Sequence, residues 1–309
     1  MISCDKPALP EQLDYGVHMD DGEIVAAITA GDLGGLAVAY DTYATPLHGY
    51  CRWMLRDPGQ AGEALRETFV TAAASLGGLK DASQLRGWLY ATARDECHRR
   101  LRTAEAGFDE GTGEDDAPAV PGTRNEQAVV RRVLREILAE LKPEEQEVIE
   151  LTVRHGLDDS ELATVLEVSW NRAHTLASQA RVQLERTLDA LLIARTGRQA
   201  CPELAGLLDG WDGKLTVQTG KVAARHIEHC QVCARSRHGS LRPEVLARLL
   251  PLPELPAGLR DTVLERAARL HAETRLDLPA IPAAGPPVRS RLEPGGFLSW
   301  DKIRSSPVP

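Results

Sequence analysis

From residue 21 to about residue 195, apolar positions recur at helical spacing and almost nowhere in strict alternation. The segment 21–55, DGEIVAAITAGDLGGLAVAYDTYATPLHGYCRWML, has this pattern. Asp32 is placed to cap a helix beginning LGGLAVAYDTY, and Pro46 to start another helical stretch. After a turn at 57–60, EALRETFVTAAASL sets Leu65, Phe69, Ala72 and Leu76 at spacings of four, three and four, a stripe that ends at Gly77 and Gly78. Residues 82–102 run Leu85, Trp88, Leu89, Thr92 and Ala93 along one face, with arginines gathered at the C-terminal end, where they suit the helix dipole. The periodicity predicts an all-α fold.

Where the pattern lapses, the chain divides. Residues 1–20 hold Pro7 and Pro10 without periodicity and read as a flexible lead-in. Residues 103–124 are acidic and rich in Gly and Pro, which predicts a linker between two small helical domains, 21–102 and 125–196. A small helical module follows over 197–250. The remainder, 251–309, is a Pro-rich spacer, one amphipathic helix over 259–273 and a Pro-rich tail expected to be disordered.

Composition changes this picture little. Aromatic residues make up 4% against 43% apolar, so the cores must be built from Leu, Val and Ala, which favours helices over sheets. A net charge of −9 looks wrong for a nucleic-acid binder, yet it averages a basic stretch, RDECHRRLR at 94–102, with an acidic one, DEGTGEDD at 109–116. No run of eighteen apolar residues occurs, and the first residues lack a basic region followed by an apolar core, so a cytoplasmic chain without membrane association is expected. No phosphate-cradling Gly-rich loop, nucleophile elbow or metal set with an open position is found, which argues against an enzyme.

Two constellations carry chemistry. The first is a helix-turn-helix layout: EEQEVIELTVRHG at 144–156, then DDSELATVLEVS at 158–169, then a helix from Trp170. Ser160 is placed to cap the middle helix, Leu162, Ala163 and Leu166 to face inward, and Val168 and Ser169 to make the turn. Asn171, Arg172 and His174 would then face base edges at the start of a recognition helix, with Arg181 nearer phosphates or solvent. An ordinary three-helix bundle gives the same pattern.

The second is Cys201, His226, Cys230 and Cys233, spaced C-x24-H-x3-C-x2-C, four N/S ligands that suit tetrahedral zinc. His226 and Cys230 share a helix face, Cys233 lies one turn on, and Cys201 closes the set from a preceding helix. His229 points to another face. With four protein ligands and no open position, the zinc would be structural. Simple burial of the cysteines beside a surface histidine is the plainer alternative.

Taken together, EALRETF at 63–69, LRGWLYATARDECHRRLR at 85–102, LKPEEQEVIEL at 141–151 and the helix-turn-helix over 156–169 resemble extracytoplasmic-function sigma factors, of the sigma-70 family. The resemblance covers about residues 21–190. It implies that 21–102 binds core RNA polymerase and opens and reads the minus-ten promoter element, and that 126–190 reads the minus-thirty-five element. Glu63 and Glu67 would contact the polymerase, and Arg94, Arg99, Arg100 and Arg102 a DNA strand. The acidic docking helix departs from the family pattern at Gln60, Gly62 and Arg66, which implies a weaker polymerase contact. The recognition helix is poor in Lys and Arg, which implies weak promoter binding.

The Cys/His segment resembles the zinc-binding anti-sigma domain, here fused behind the sigma-like domains. That implies an alternative sigma factor directing promoter-specific initiation and regulated in cis by its zinc module. Whether the module inhibits, senses redox state or only stabilises stays open, as does a separate anti-sigma factor among the partners. The competing reading is a sigma-derived interaction or regulatory protein with little promoter-reading activity.

Overall fold

A computed structural model of the chain describes residues 19–106, 137–138, 141–197, 199–211, 217–235 and 252–276. Most of the expected lead-in, the linker from residue 107 on and the tail beyond 276 lie outside the described residues. The chain divides into two units, 1–271 and 272–309, and of the second only the end of one helix is described. Among the described residues there are helices and no strands, in keeping with the all-α expectation.

The first domain is made of four helices, α1 (Asp21–Thr29), α2 (Leu33–Leu55), α3 (Pro58–Ser75) and α4 (Leu85–Ala106). Side-chain caps start the first three. Asp20 accepts from the Glu23 amide while Glu23 returns to the Asp20 amide, Asp32 accepts from the Gly34 amide, and Asp57 accepts from the Gln60 amide ahead of Pro58. Asp32 thus caps as the sequence predicts.

Pro46 does not start a helix but sits inside α2. Breaking an interior hydrogen bond there costs about 3 kcal/mol. On either side of the proline, Leu36, Ala39, Tyr40, Ala44, Leu47 and Tyr50 are buried on one continuous stripe, and at about 1.5–3 kcal/mol for each large side chain this burial outweighs the break. Leu65, Phe69, Ala72 and Leu76 are all buried as predicted, and Tyr40 meets Phe69 at 5.0 Å between ring centroids.

The second domain contains α5 (Pro143–Ile149), which widens into a π turn over Glu150–Arg154, then α6 (Asp159–Leu166) and α7 (Trp170–Thr196). Gly156, at φ +66°, ends the first of these, a backbone setting that favours glycine. The predicted cap Ser160 lies inside the first turn of α6. The cap is Asp158, whose carboxylate accepts from the amides of Ser160 and Glu161, both at 2.8 Å, while Glu161 accepts from the Asp158 amide. A carboxylate can take both orphan amides and so outcompetes the hydroxyl two residues on. Leu162 and Val165 form the buried face, with Ala163 and Leu166 half-buried. The turn into α7 passes through Glu167, at φ 54°, and Ser169 caps α7.

The two domains share one apolar core. Helix α4 crosses α6 so closely that a Cβ on Gly87 would stand 3.2 Å from the Cα of Glu161. Around this crossing, Gln84 bonds Ser160 and Thr164, and Arg86 donates to the carbonyls of His155 and Gly156 and pairs with Glu161. Further along, Arg94 Nε lies 2.7 Å from Glu147, which also accepts from the Tyr50 hydroxyl at 2.8 Å.

Within α2, His48 is buried without a side-chain partner. Burial pushes its pKa below the ordinary histidine value, nearby Arg52 adds to this, and the Pro253 backbone opposes it. A depressed folded-state pKa contributes stability that is fully present above the unfolded histidine value and is lost as pH falls through the folded one. Urea melts should therefore show stability falling below about pH 6.5, and His48→Phe should flatten that slope. An unchanged slope would assign the pH response to other groups.

Candidate functional site

A small module follows α7, built from α8 (Pro202–Leu207), α9 (Val217–His229) and α10 (Gln231–Arg235). Cys201 is the N-cap of α8 and its sulfur accepts from the Leu204 amide at 3.4 Å. His226 lies in the last turn of α9, Cys230 directly after it, and Cys233 on α10. The spacing read from the sequence therefore does place all four on converging elements.

Their donor atoms all lie within 4.8 Å of one another. Cys201 Sγ is 3.3 Å from His226 Nε2 and 3.8 Å from Cys230 Sγ. A tetrahedral ion with thiolate bonds near 2.3 Å and an imidazole bond near 2.0 Å needs sulfur–sulfur edges of about 3.8 Å and sulfur–nitrogen edges of about 3.5 Å. These two edges are close to those values, and the other donor pairs lie within 4.8 Å, so the four side chains could hold such an ion. Because Nε2 faces the sulfurs, Nδ1 is left toward Glu203, whose carboxylate lies 3.9 Å away and can orient the ring. His229 turns back to the Arg225 carbonyl, 2.8 Å from its Nδ1, outside the set.

The thiols are held unequally. Backbone amides of Cys233 and Val232 lower the pKa of Cys230, whereas burial and the neighbouring thiols push Cys233 up to about 12. A bound cation removes this mutual penalty, since each thiolate then faces positive charge.

The module is anchored to the end of α7. Ala190, Ile193 and Ala194 of that helix are buried with Cys201, Leu204, Leu208, Ala223, Ile227 and Cys233. At 1.5 Å per residue, α7 is a rod of roughly 40 Å with the ligand cluster at one end. The other end carries the predicted recognition residues. Asn171, Arg172 and Arg181 are exposed, as is His174, whose Nδ1 lies 2.7 Å from Asp159 and whose ring stacks on Trp170 at 5.3 Å. Trp170, 54% exposed, was not among the residues singled out from the sequence, where it reads as an ordinary apolar helix position.

The basic stretch of α4 is engaged within the chain. Arg94 pairs with Glu147, Arg99 and Arg100 both pair with Glu96, and Arg100 also bonds Gln60 at 2.7 Å, while Arg102 is exposed. On α3, Glu63 and Glu67 both pair with Arg66. Arg86 and Glu147, which join the two domains, carry no local sequence signal for it.

Residues 39–106, from the second turn of α2 to the end of α4, match the family described as Sigma-70 region 2. This is a sigma-70 region 2 match. It contains Glu63, Glu67 and the four arginines of α4. The chain is also similar to the ECF RNA polymerase sigma factor SigM of Mycobacterium tuberculosis, 24% identical over 171 residues, which are 55% of this chain and 86% of the relative. A solved structure of CnrH in complex with the cytosolic domain of CnrY is similar at 20% identity and a TM-score of 0.42, covering 55% of this chain and 97% of that one. The region 2 match and the similarity to SigM support a sigma factor. No helix among the described residues is long and apolar enough to cross a membrane.

Proposed function

We propose that this protein is an alternative sigma factor that binds core RNA polymerase, directs promoter-specific initiation, and is regulated in cis by a structural zinc module. The observation that carries the reading is the region 2 match, followed in the chain by a capped helix-turn-helix. In this reading residues 21–102 engage the polymerase, through Glu63 and Glu67, and the minus-ten element, through Arg94, Arg99, Arg100 and Arg102. Residues 125–196 read the minus-thirty-five element through Asn171, Arg172 and His174, with Arg181 toward the phosphates. Zinc suits the module because three thiolates and one imidazole clustered within 4.8 Å are the donors of a four-coordinate structural site. Such an ion holds the fold and leaves no position for substrate.

The two elements, taken as about 25 base pairs apart, are separated by roughly 85 Å along B-form DNA at 3.4 Å per base pair. Two domains sharing one core cannot reach both. Reading a promoter thus requires the domains to part, and regulation in cis has an equilibrium on which to act.

In vitro transcription with core polymerase tests the reading. Asn171→Ala and Arg172→Ala should each relax discrimination at one base pair of the upstream element by about 1–3 kcal/mol. Unchanged promoter preference in both would remove the N-terminal end of α7 as the reading surface. Engagement of Arg94, Arg99 and Arg100 by Glu147 and Glu96 favours a second reading, a sigma-derived regulator that does not read promoters. Failure of any variant to give promoter-specific RNA would select it.

A further inference from the structure

Five large apolar side chains stand exposed among the described residues, and three of them, Leu207, Val222 and Val232, belong to the small metal module. Two of these share a groove. Leu207 lines it from the last residue of α8 and Val222 from the second turn of α9, around a volume of about 620 Å³. Helix α9 is divided lengthwise. Ala223 and Ile227, four apart, are buried with Ala190, Ile193 and Ala194 of α7. Lys221 and Arg225, also four apart, are exposed and line the groove beside Val222.

The two cations are uncommitted. Arg66, Arg86, Arg94, Arg99 and Arg100 each hold a carboxylate, whereas Lys221 and Arg225 have no ion pair among the described residues. Glu203 is the acidic residue of the lining, on the facing wall, its side chain 76% exposed and 3.9 Å from His226 Nδ1. Two fixed positive charges against one negative leave the groove positive in a chain whose net charge is −9. Its volume is that of a small-molecule site, for which about 300–1,000 Å³ is usual. An inorganic anion would answer Lys221 and Arg225 and leave Leu207 and Val222 wet. A neutral hydrocarbon would do the reverse. A ligand that satisfies both carries an anionic head and an apolar body.

We propose that the groove between α8 and α9 binds a small amphiphilic anion, a carboxylate, sulfonate or phosphate ester with a short aliphatic or aromatic body. Lys221 and Arg225 take the head, and Leu207 and Val222 the body. His226 and Cys230, two of the four clustered donors, stand in the same wall, so an occupant lies against them, while Cys201 and Cys233 are buried. The site goes beyond the promoter-directing reading and does not depend on it.

Binding of anilinonaphthalene sulfonate to the full chain, followed by fluorescence at low salt, tests this with a probe that has one sulfonate and an aromatic body. Lys221→Glu with Arg225→Glu should weaken binding about tenfold or more, and Glu203→Gln should tighten it about twofold. Added salt should weaken binding to the parent. Leu207→Glu, on the opposite wall, should also weaken it about tenfold, and keeps the test open where the double variant disturbs α9. Hydrogen exchange over 201–235 separates a variant that has lost the site from one that has unfolded. Val182→Ser, which removes an exposed apolar side chain outside the groove, should change nothing. Octanoate should displace the probe at concentrations at which inorganic phosphate and octanol do not. Unchanged affinity in both the double variant and Leu207→Glu overturns the site, as does an equal loss in Val182→Ser. Displacement by phosphate as readily as by octanoate overturns the amphiphilic ligand.

Discussion

Replacing Cys233 by Ser should weaken metal binding more than about a thousandfold and unfold the module over 201–235 while leaving the first domain folded. The module's own core is small. Leu204, Leu208, Ile227 and Ile193 are its large aliphatic side chains, and burying four of these contributes about 6–12 kcal/mol. A structural zinc ion contributes about 10–16 kcal/mol in small finger peptides, at least as much as this core. Cys233 is the most telling ligand to replace because its side chain is buried, so no water-exposed arrangement can substitute for it. Metal content by atomic absorption and hydrogen exchange by segment would check the prediction. A metal-free variant with full protection over 201–235 would show that the cysteines only pack.

What could be read from the sequence was local. The cap at Asp32, the stripe Leu65–Phe69–Ala72–Leu76 and the ligand spacing are all short-range patterns, set by the pitch of a helix and the reach of a side chain. Misreadings arose where two local rules competed or packing overrode one. Pro46 carries the usual mark of a helix start, but a buried stripe runs through it. Ser160 carries a usual cap residue, but Asp158 is better placed for both free amides.

The long-range partners were not legible at all. Arg94 lies 53 residues from Glu147, Arg86 75 from Glu161, and Arg260 219 from Asp41. Nothing in the spacing of these residues distinguishes an arginine that waits for DNA from one that closes the molecule. Gly49, Gly62 and Gly87 are the exception in hindsight. Each is a glycine within a predicted helix, which marks close approach of another backbone or side chain, although not whose.

Glu147→Ala should destabilise the joined domains by roughly 2–3 kcal/mol, because one carboxylate serves two partners across the seam. Its loss leaves the Arg94 guanidinium and the Tyr50 hydroxyl without their acceptor, in a place where the Arg94 and Glu147 side chains are only 23% and 14% exposed. Breaking a fully buried pair costs about 3–5 kcal/mol, and partial exposure of Arg94 reduces this. Removing both charges together, as in Arg94→Met with Glu147→Leu, should recover much of the loss, since no charge is then left stranded. Urea melts of the single and double variants measure this cycle. Transcription then separates the two roles assigned to Arg94. If the pair holds the domains closed and the freed guanidinium meets DNA, Glu147→Ala raises promoter-specific RNA, whereas Arg94→Met lowers it although both open the seam. Equal changes in the two variants would confine Arg94 to the closed state and leave Arg99, Arg100 and Arg102 to meet the promoter.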